Sequence, residues 1–222
     1  MDPVFVNYPT ILKYFTPSSY LDVGVCKGHA IPFILKQLPS LSRIEMIEAN
    51  LLHEADLKII SKKYNIPYKM EVLSDTVRDV TFYLDGKGKN STGPGNSYYL
   101  ENTPHFLNTP SEIRRTNTLD TIYNNGETFD FIKMDTQGSE LDIIKGGCNL
   151  MKYVKGIILE ENVFTYNFGA AKHDEVKKYM ESIGFTMTDI LSIKHRMESD
   201  RQGVPTEQKE MDVLYIRTDI LN

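Results

Sequence analysis

The stretch "FDFIKMDTQGSELDIIKGG" (129–147) sets an acid, Asp135, at the end of an apolar run and three residues ahead of a Gly-Ser-Glu helix start. Such a residue either opens the turn into the helix or stands as a reactive carboxylate at a strand tip. Strand alternation puts Lys133 on the face of Asp135 and Met134 on the other. A Lys–Asp pair is therefore expected, with Lys133 as partner of the acid rather than as a base. A second acidic pair, Glu160 and Glu161, ends the run "VKGIILEE", and alternation turns one of the two inward. Two chemistries fit. Asp135 could take the proton of a hydroxyl that attacks an electrophile. Alternatively, Asp135 with Glu160 or Glu161 could hold a hard divalent cation, Mg or Mn, through oxygen ligands. Glu140 suits the dipole at the start of the following helix. Ser139 and Asp142 resemble a capping box, and Gly146-Gly147 a left-handed stop.

A glycine turn comes earlier, in Asp22-Val-Gly24-Val-Cys26-Lys-Gly28. Gly24 permits a tight turn, and Gly28 would let a ligand approach the helix start. The spacing is not the G-x-G-x-x-G of dinucleotide enzymes, and no G-x-x-x-x-G-K-[ST] loop for a triphosphate occurs. Glu48 ends a second strand at the distance, about 20 residues, where an acid reaches ribose hydroxyls. Ser74-Asp75 end a third, where a base would lie. Each has a plain alternative as a packing turn, a solvated carboxylate or a turn pair. Together they outline a pocket for an adenosine-like ligand without phosphates. S-adenosylmethionine matches that outline, with Asp22 near its ammonium or ordering the glycine loop.

The elements that must position these groups alternate. "YLDVG", "RIEMIEA", "YKMEVLS", "VTFYL", "IRRTNTL", "FDFIKMD" and "VKGIILEE" read as strands. Helical patterns cover 27–38, 51–64 (inner face Leu52, Ala55, Ile59), 139–147 and 173–184 (inner face Val176, Tyr179, Met180, Ile183). Asp120 reads as the cap of a short helix over 121–125. "FTMTDILS" and "MDVLYIRT" close the chain as antiparallel neighbours joined by the polar stretch 193–210. The fold class is α/β, a mostly parallel sheet covered on both faces, in one domain over 1–222. Residues 85–110, rich in Gly, Asn, Ser, Thr and Pro, interrupt the rhythm. A loop this long is usually functional or disordered. Asn96, Ser97, Tyr98, Tyr99 and His105 make it a candidate acceptor-binding lid suited to a sugar, with a flexible surface loop as the alternative.

"YLDVGVCKGH", "IEAN", "VLSD", "TLD" (118–120), "FIKMDTQGSELDIIKGG" and "IILEEN" occur in this order. In that order the chain resembles the FkbM family of S-adenosylmethionine-dependent O-methyltransferases over roughly residues 19–163. The Lys133-x-Asp135-x-x-Gly138-x-Glu140 block followed by Gly146 is the most specific part. The resemblance implies a Rossmann-like class I methyltransferase fold, with a seven-stranded, mostly parallel sheet and an antiparallel last strand. It also implies methyl transfer to a hydroxyl, commonly on a sugar or a glycosylated or polyketide product. One position departs: the family usually has Asn two residues after the first glycine, and here Cys26 stands there. Backbone contacts from Gly24 and Gly28 do not depend on that side chain.

Composition bounds the rest. The 222 residues carry a net charge of −5, which argues against a general nucleic-acid binder. Cys26 and Cys148 form no metal-ligand spacing, and two thiols make no disulfide framework, so a reducing cytoplasm is the default. No signal layout or membrane-length apolar run is seen, and Asn90-Ser91-Thr92 reads as a chance glycosylation match. The expected function is O-methylation of a carbohydrate or glycan acceptor with S-adenosylmethionine, and an oligomer is left open. The rivals are an RNA ribose 2′-O-methyltransferase, which the Lys133–Asp135 pairing would serve, and a catalytically silent Rossmann-like interaction module.

Overall fold

The computed structural model describes residues 6–84, 95–164 and 167–221. In chain order its strands are β1 (Ser19–Val23), β2 (Arg43–Glu48), β3 (Tyr68–Met70), β4 (Val72–Leu73), β5 (Asp79–Tyr83) and β6 (Ser111–Asn117). β7 (Phe131–Met134), β8 (Gly156–Asn162), β9 (Phe185–Ser199) and β10 (Pro205–Arg217) complete the set. The helices are α1 (Ile31–Gln37), α2 (Glu54–Tyr64), α3 (Leu119–Ile122), α4 (Glu140–Lys145) and α5 (His173–Ser182).

Seven strands form the main sheet in the order β3-β2-β1-β7-β8-β10-β9. The first five run parallel, and β10 runs against both its neighbours. This is the α/β architecture expected, with the antiparallel last strand inserted beside β8. The period of two in these strands divides the core between the two faces. Val23, Ile132, Met134, Ile157 and Leu159 join α4 and α5 on one side. Tyr20, Met46, Phe131 and Ile158 join α1, α2 and the turn Tyr8–Lys13 on the other. All four residues of β7 are buried, Lys133 included. The chain leaves β1 toward β2 on one side and returns as β7 on the other. That reversal of strand order opens a crevice at the carboxyl ends of β1, β2 and β7.

Several local expectations need correction. In α2 the inward residues are Leu57, Ile60 and Tyr64, while Ile59 is 65% exposed. Leu51–His53 form a separate 3-10 turn, so a helical count begun at Leu52 is out of phase. The stretch "YKMEVLS" splits between two sheets, because β4 pairs with β6 in a small sheet of order β4-β6-β5. The polar stretch 193–210 is not a connecting loop. It prolongs β9 and β10 into one long hairpin that turns at 200–204.

At α4, Ser139 makes no cap to the helix backbone, and its hydroxyl donates instead to the Thr136 carbonyl at 3.1 Å. Gly146 has φ −75°, so it is no left-handed stop; a Cβ there would lie 2.2 Å from the Ser74 carbonyl oxygen, which is why only glycine fits. Asp120 does not cap its own helix. Thr118 caps α3, and Asp120 accepts from Asn149 and Leu150 amides at 2.9–3.0 Å. Residues 85–94 of the long loop, with Asn90-Ser91-Thr92, lie outside the described residues. Among those described, no helix is long and apolar enough to cross a membrane.

Candidate functional site

The glycine turn is built by close approach. Gly24 follows β1 with φ +81°, and a Cβ on it would sit 1.9 Å from the Asp135 carbonyl oxygen. Its amide donates to the Ile47 carbonyl at 2.9 Å, and the Asp135 amide to the Val23 carbonyl at 3.0 Å. The ends of β1, β2 and β7 are thereby stitched together around one open cavity. Gly24, Cys26, Glu48 and Asp135 all line it.

Glu48 is buried at the end of β2. Its two oxygens accept from the Cys26 amide at 2.7 Å and the Asn50 amide at 2.8 Å. Burial outweighs those donors and pushes its carboxyl up to about 7. Glu48 thus orders the glycine loop, a task the sequence offered to Asp22. Asp22 lies opposite Lys133 in the β1–β7 register and is pushed up to about 6, chiefly by burial. It does not line the cavity. Neither does Gly28: with φ +72°, a side chain there would meet Leu57 and Ile60 of α2 at 3.2 Å. The glycine serves helix packing rather than ligand approach. Ser74 and Asp75 also stay outside, with the Ser74 hydroxyl donating to Asp75 at 3.0 Å and Asp75 paired to Arg78. The preceding residues, Val72 and Leu73, line the wall instead.

At the other end, Lys133 Nζ lies 3.0 Å from Asp135 Oδ2. Gln137 bridges two acids, its Nε2 donating to Asp135 Oδ1 at 3.1 Å and to Glu160 Oε2 at 2.6 Å. Gln137 adopts φ +56°, a left-handed conformation uncommon for a long side chain. Lys194, from β9, donates to Glu160 Oε1 at 2.5 Å. Burial works to raise Asp135, but the Lys133 charge, the hydrogen bond with Glu160 and the Lys194 charge hold it well below the ordinary carboxylate range. Burial and the Asp135 charge drive Glu160 the opposite way, well above that range. The Asp135 side chain keeps 31% of its exposure and Glu160 only 6%, so Asp135 is the acid within reach of a ligand.

A divalent cation does not fit these acids. Lysine ammonium and Gln137 amide groups occupy the oxygens that a metal would need. Glu161 points to the opposite face, where His173 Nδ1 lies 2.5 Å from its Oε2. Among the described residues no group of three His, Cys, Asp or Glu could hold a metal.

Of the loop residues offered as an acceptor lid, Asn96, Ser97 and Tyr98 line the same cavity as Glu48. Tyr99 lies outside it, and His105 is exposed on the turn Pro104–Phe106. Glu140, buried at the start of α4, accepts from the Thr136 amide at 2.7 Å and the Gly138 amide at 3.0 Å, fixing the loop that carries Gln137. Sequence reasoning missed Gln137 and Lys194, and it did not bring Phe82 and His53 to the cavity they line. Gln137 stood in plain view two residues beyond Asp135. Lys194 gave no signal, because only the β9–β10 pairing brings it here.

The family model described as the methyltransferase FkbM domain matches residues 22–187, well over half of the chain. Among solved structures, the chain is similar to an FkbM methyltransferase from Methylobacillus flagellatus KT, with 16% identity and a TM-score of 0.55. That alignment covers 90% of this chain and 43% of that one, so this chain spans less than half of its length. An uncharacterized protein from Listeria monocytogenes serotype 4b aligns at 10% identity and a TM-score of 0.50, covering 96% of this chain and 68% of that one. None of the curated proteins compared matches the chain.

Proposed function

The chain belongs to the FkbM methyltransferase domain family, and we propose that it transfers a methyl group from S-adenosylmethionine to a hydroxyl of a sugar or glycan. One observation carries the reading: Glu48 and Asp135, ending strands on either side of β1, face a single cavity whose lining, among the described residues, bears no lysine or arginine. A phosphate-bearing nucleotide would want cations or a run of free amides there. A nucleoside needs an acceptor for its hydroxyls, which Glu48 supplies.

S-adenosylmethionine, when bound, supplies the methyl group as an electrophile at its sulfonium. The chain's own task is to present a hydroxyl in line and to receive its proton. With the methyl group supplied there, the hydroxyl proton would pass to the Asp135 carboxylate or through it to water. Lys133 and Gln137 each hold one oxygen of Asp135. They fix its direction, and orientation supplies much of the rate gain in such displacements. An acid held so far down is a weak proton store. Its role is to orient the hydroxyl and accept the proton only as attack proceeds.

Calorimetry with S-adenosylmethionine, followed by a screen of tritiated methyl transfer onto monosaccharides and glycan fragments, tests this. Micromolar binding at millimolar ligand should stabilise the fold by ~4 kcal/mol. No binding would leave the silent-module reading. The Lys133–Asp135 pair also suits a ribose acceptor. Transfer to RNA but not to sugars, with steeply salt-dependent RNA binding, would select that reading.

A further inference from the structure

Tyr98 and Tyr99 enter the fold on a segment that the sequence offered to the acceptor, yet the geometry ties that segment to the cofactor cavity. Tyr98 lines the cavity together with Gly95, Asn96 and Ser97. Ser97 anchors one end, exchanging backbone hydrogen bonds with Tyr83 of β5 at 2.8 and 3.2 Å. The Asn167 side chain, donating to the Tyr99 carbonyl at 3.1 Å, holds the other. Between these anchors both tyrosine hydroxyls converge on one carboxylate. Tyr99 donates to Asp142 Oδ2 at 2.7 Å, and the Tyr98 hydroxyl lies 3.0 Å from the same oxygen and 3.3 Å from Ser74 Oγ. The rings pack 4.8 Å apart at a 40° tilt. Asp142 sits on α4, a helix of the main fold, and its side chain is 18% exposed. It does not line the cavity.

We propose that Asp142 is a positioning residue for cofactor retention: through the Tyr98 and Tyr99 hydroxyls it clamps residues 95–99 as a wall of the S-adenosylmethionine cavity. This rests on the cofactor assigned above. Hydrogen bonds to an ionised acceptor are stronger than neutral ones. Two of them on one partly buried carboxylate make the wall close as a unit and open as a unit. Release of the clamp should therefore free the ligand without altering its contacts at Glu48 or Gly24.

The test is a chase experiment on the full chain. Tritium-labelled S-adenosylmethionine is bound, then displaced with excess unlabelled compound, for wild type, Asp142→Ala and the double variant Tyr98→Phe/Tyr99→Phe. The double variant keeps both rings and removes only the hydroxyls, so it tests the clamp even where Asp142→Ala fails to fold. Dissociation should accelerate by about tenfold or more in each folded variant, with association changed by less than about threefold. A clamp of merely structural value would instead lower the melting temperature and leave dissociation as it was. A folded double variant releasing label at the wild-type rate overturns the inference while the cofactor assignment stands. A wild type that holds no label overturns the cofactor assignment and the clamp with it.

Discussion

Glu48 and Asp135 end strands on either side of β1 and look into the same cavity, yet their surroundings differ in kind. Glu48 is held by two backbone amides with, among the described residues, no counterion against its oxygens, and burial pushes it up to about 7. Asp135 is held by a lysine and an amide side chain, and the Lys133 and Lys194 charges with the Glu160 hydrogen bond keep it ionised far below neutrality. A carboxylate fixed by loop amides is a stationary acceptor whose position depends on the fold of the glycine turn. A carboxylate held by side chains on its own strand and the next loop has its charge secured independently of any ligand. The first arrangement suits binding. The second suits orienting a hydroxyl against a charge that stays in place. Burial acts to raise both acids, and the lysine charges present only at Asp135 separate them.

Mutation of Asp135 should give the largest effect. Asp135→Ala is expected to lower methyl transfer by about 10²–10⁴, with cofactor affinity by calorimetry close to wild type. A variant that loses cofactor affinity in proportion would erase the distinction between the two acids. Glu48→Ala comes next: affinity for S-adenosylmethionine should weaken about tenfold or more, equivalent to ~1.4 kcal/mol. Unchanged affinity would remove Glu48 from the ligand contacts.

A third effect is on stability against pH. Because the folded carboxyl of Glu48 is raised from 4.5 to about 7, the folded state holds more protons than the unfolded one between those values. Stability must then fall as pH rises through that window, by up to about 3 kcal/mol from this group. Asp22 and Glu140 are also raised, with the same sign, so the comparison with Glu48→Gln isolates the Glu48 share. Urea unfolding at pH 5 and pH 7.5 should show a smaller pH difference in Glu48→Gln. Asp135 stays out of this window, since its depressed value loses stability only in more acid solution.

Much of the crevice was legible in residue order. Lys133 and Asp135 share a face because strand side chains alternate, a rule that needs no tertiary information. Gly24 announced a tight turn, and its carbonyl neighbour across the sheet supplies the reason that only glycine fits. Gly28 and Gly146 misled for one cause. A glycine is required both where the backbone turns and where another chain segment comes close, and sequence does not separate the two. The face of α2 was lost by a phase error, since a 3-10 turn preceding the helix shifts the count. The metal option failed because acids were counted without the cations that pair with them.

The sequence by itself determined the alternation of strands and helices, the acids at the strand tips and the pairing of Lys133 with Asp135. All of these follow from periods of two and 3.6 acting within a few residues. Tertiary structure alone decided that Glu160 and not Glu161 meets Asp135, that Lys194 arrives from β9, and that Tyr98 walls the cavity while Asp142 holds it. Those choices depend on which strands pair and in what register. Register between distant segments is fixed by the shared burial of whole faces, which local spacing does not encode.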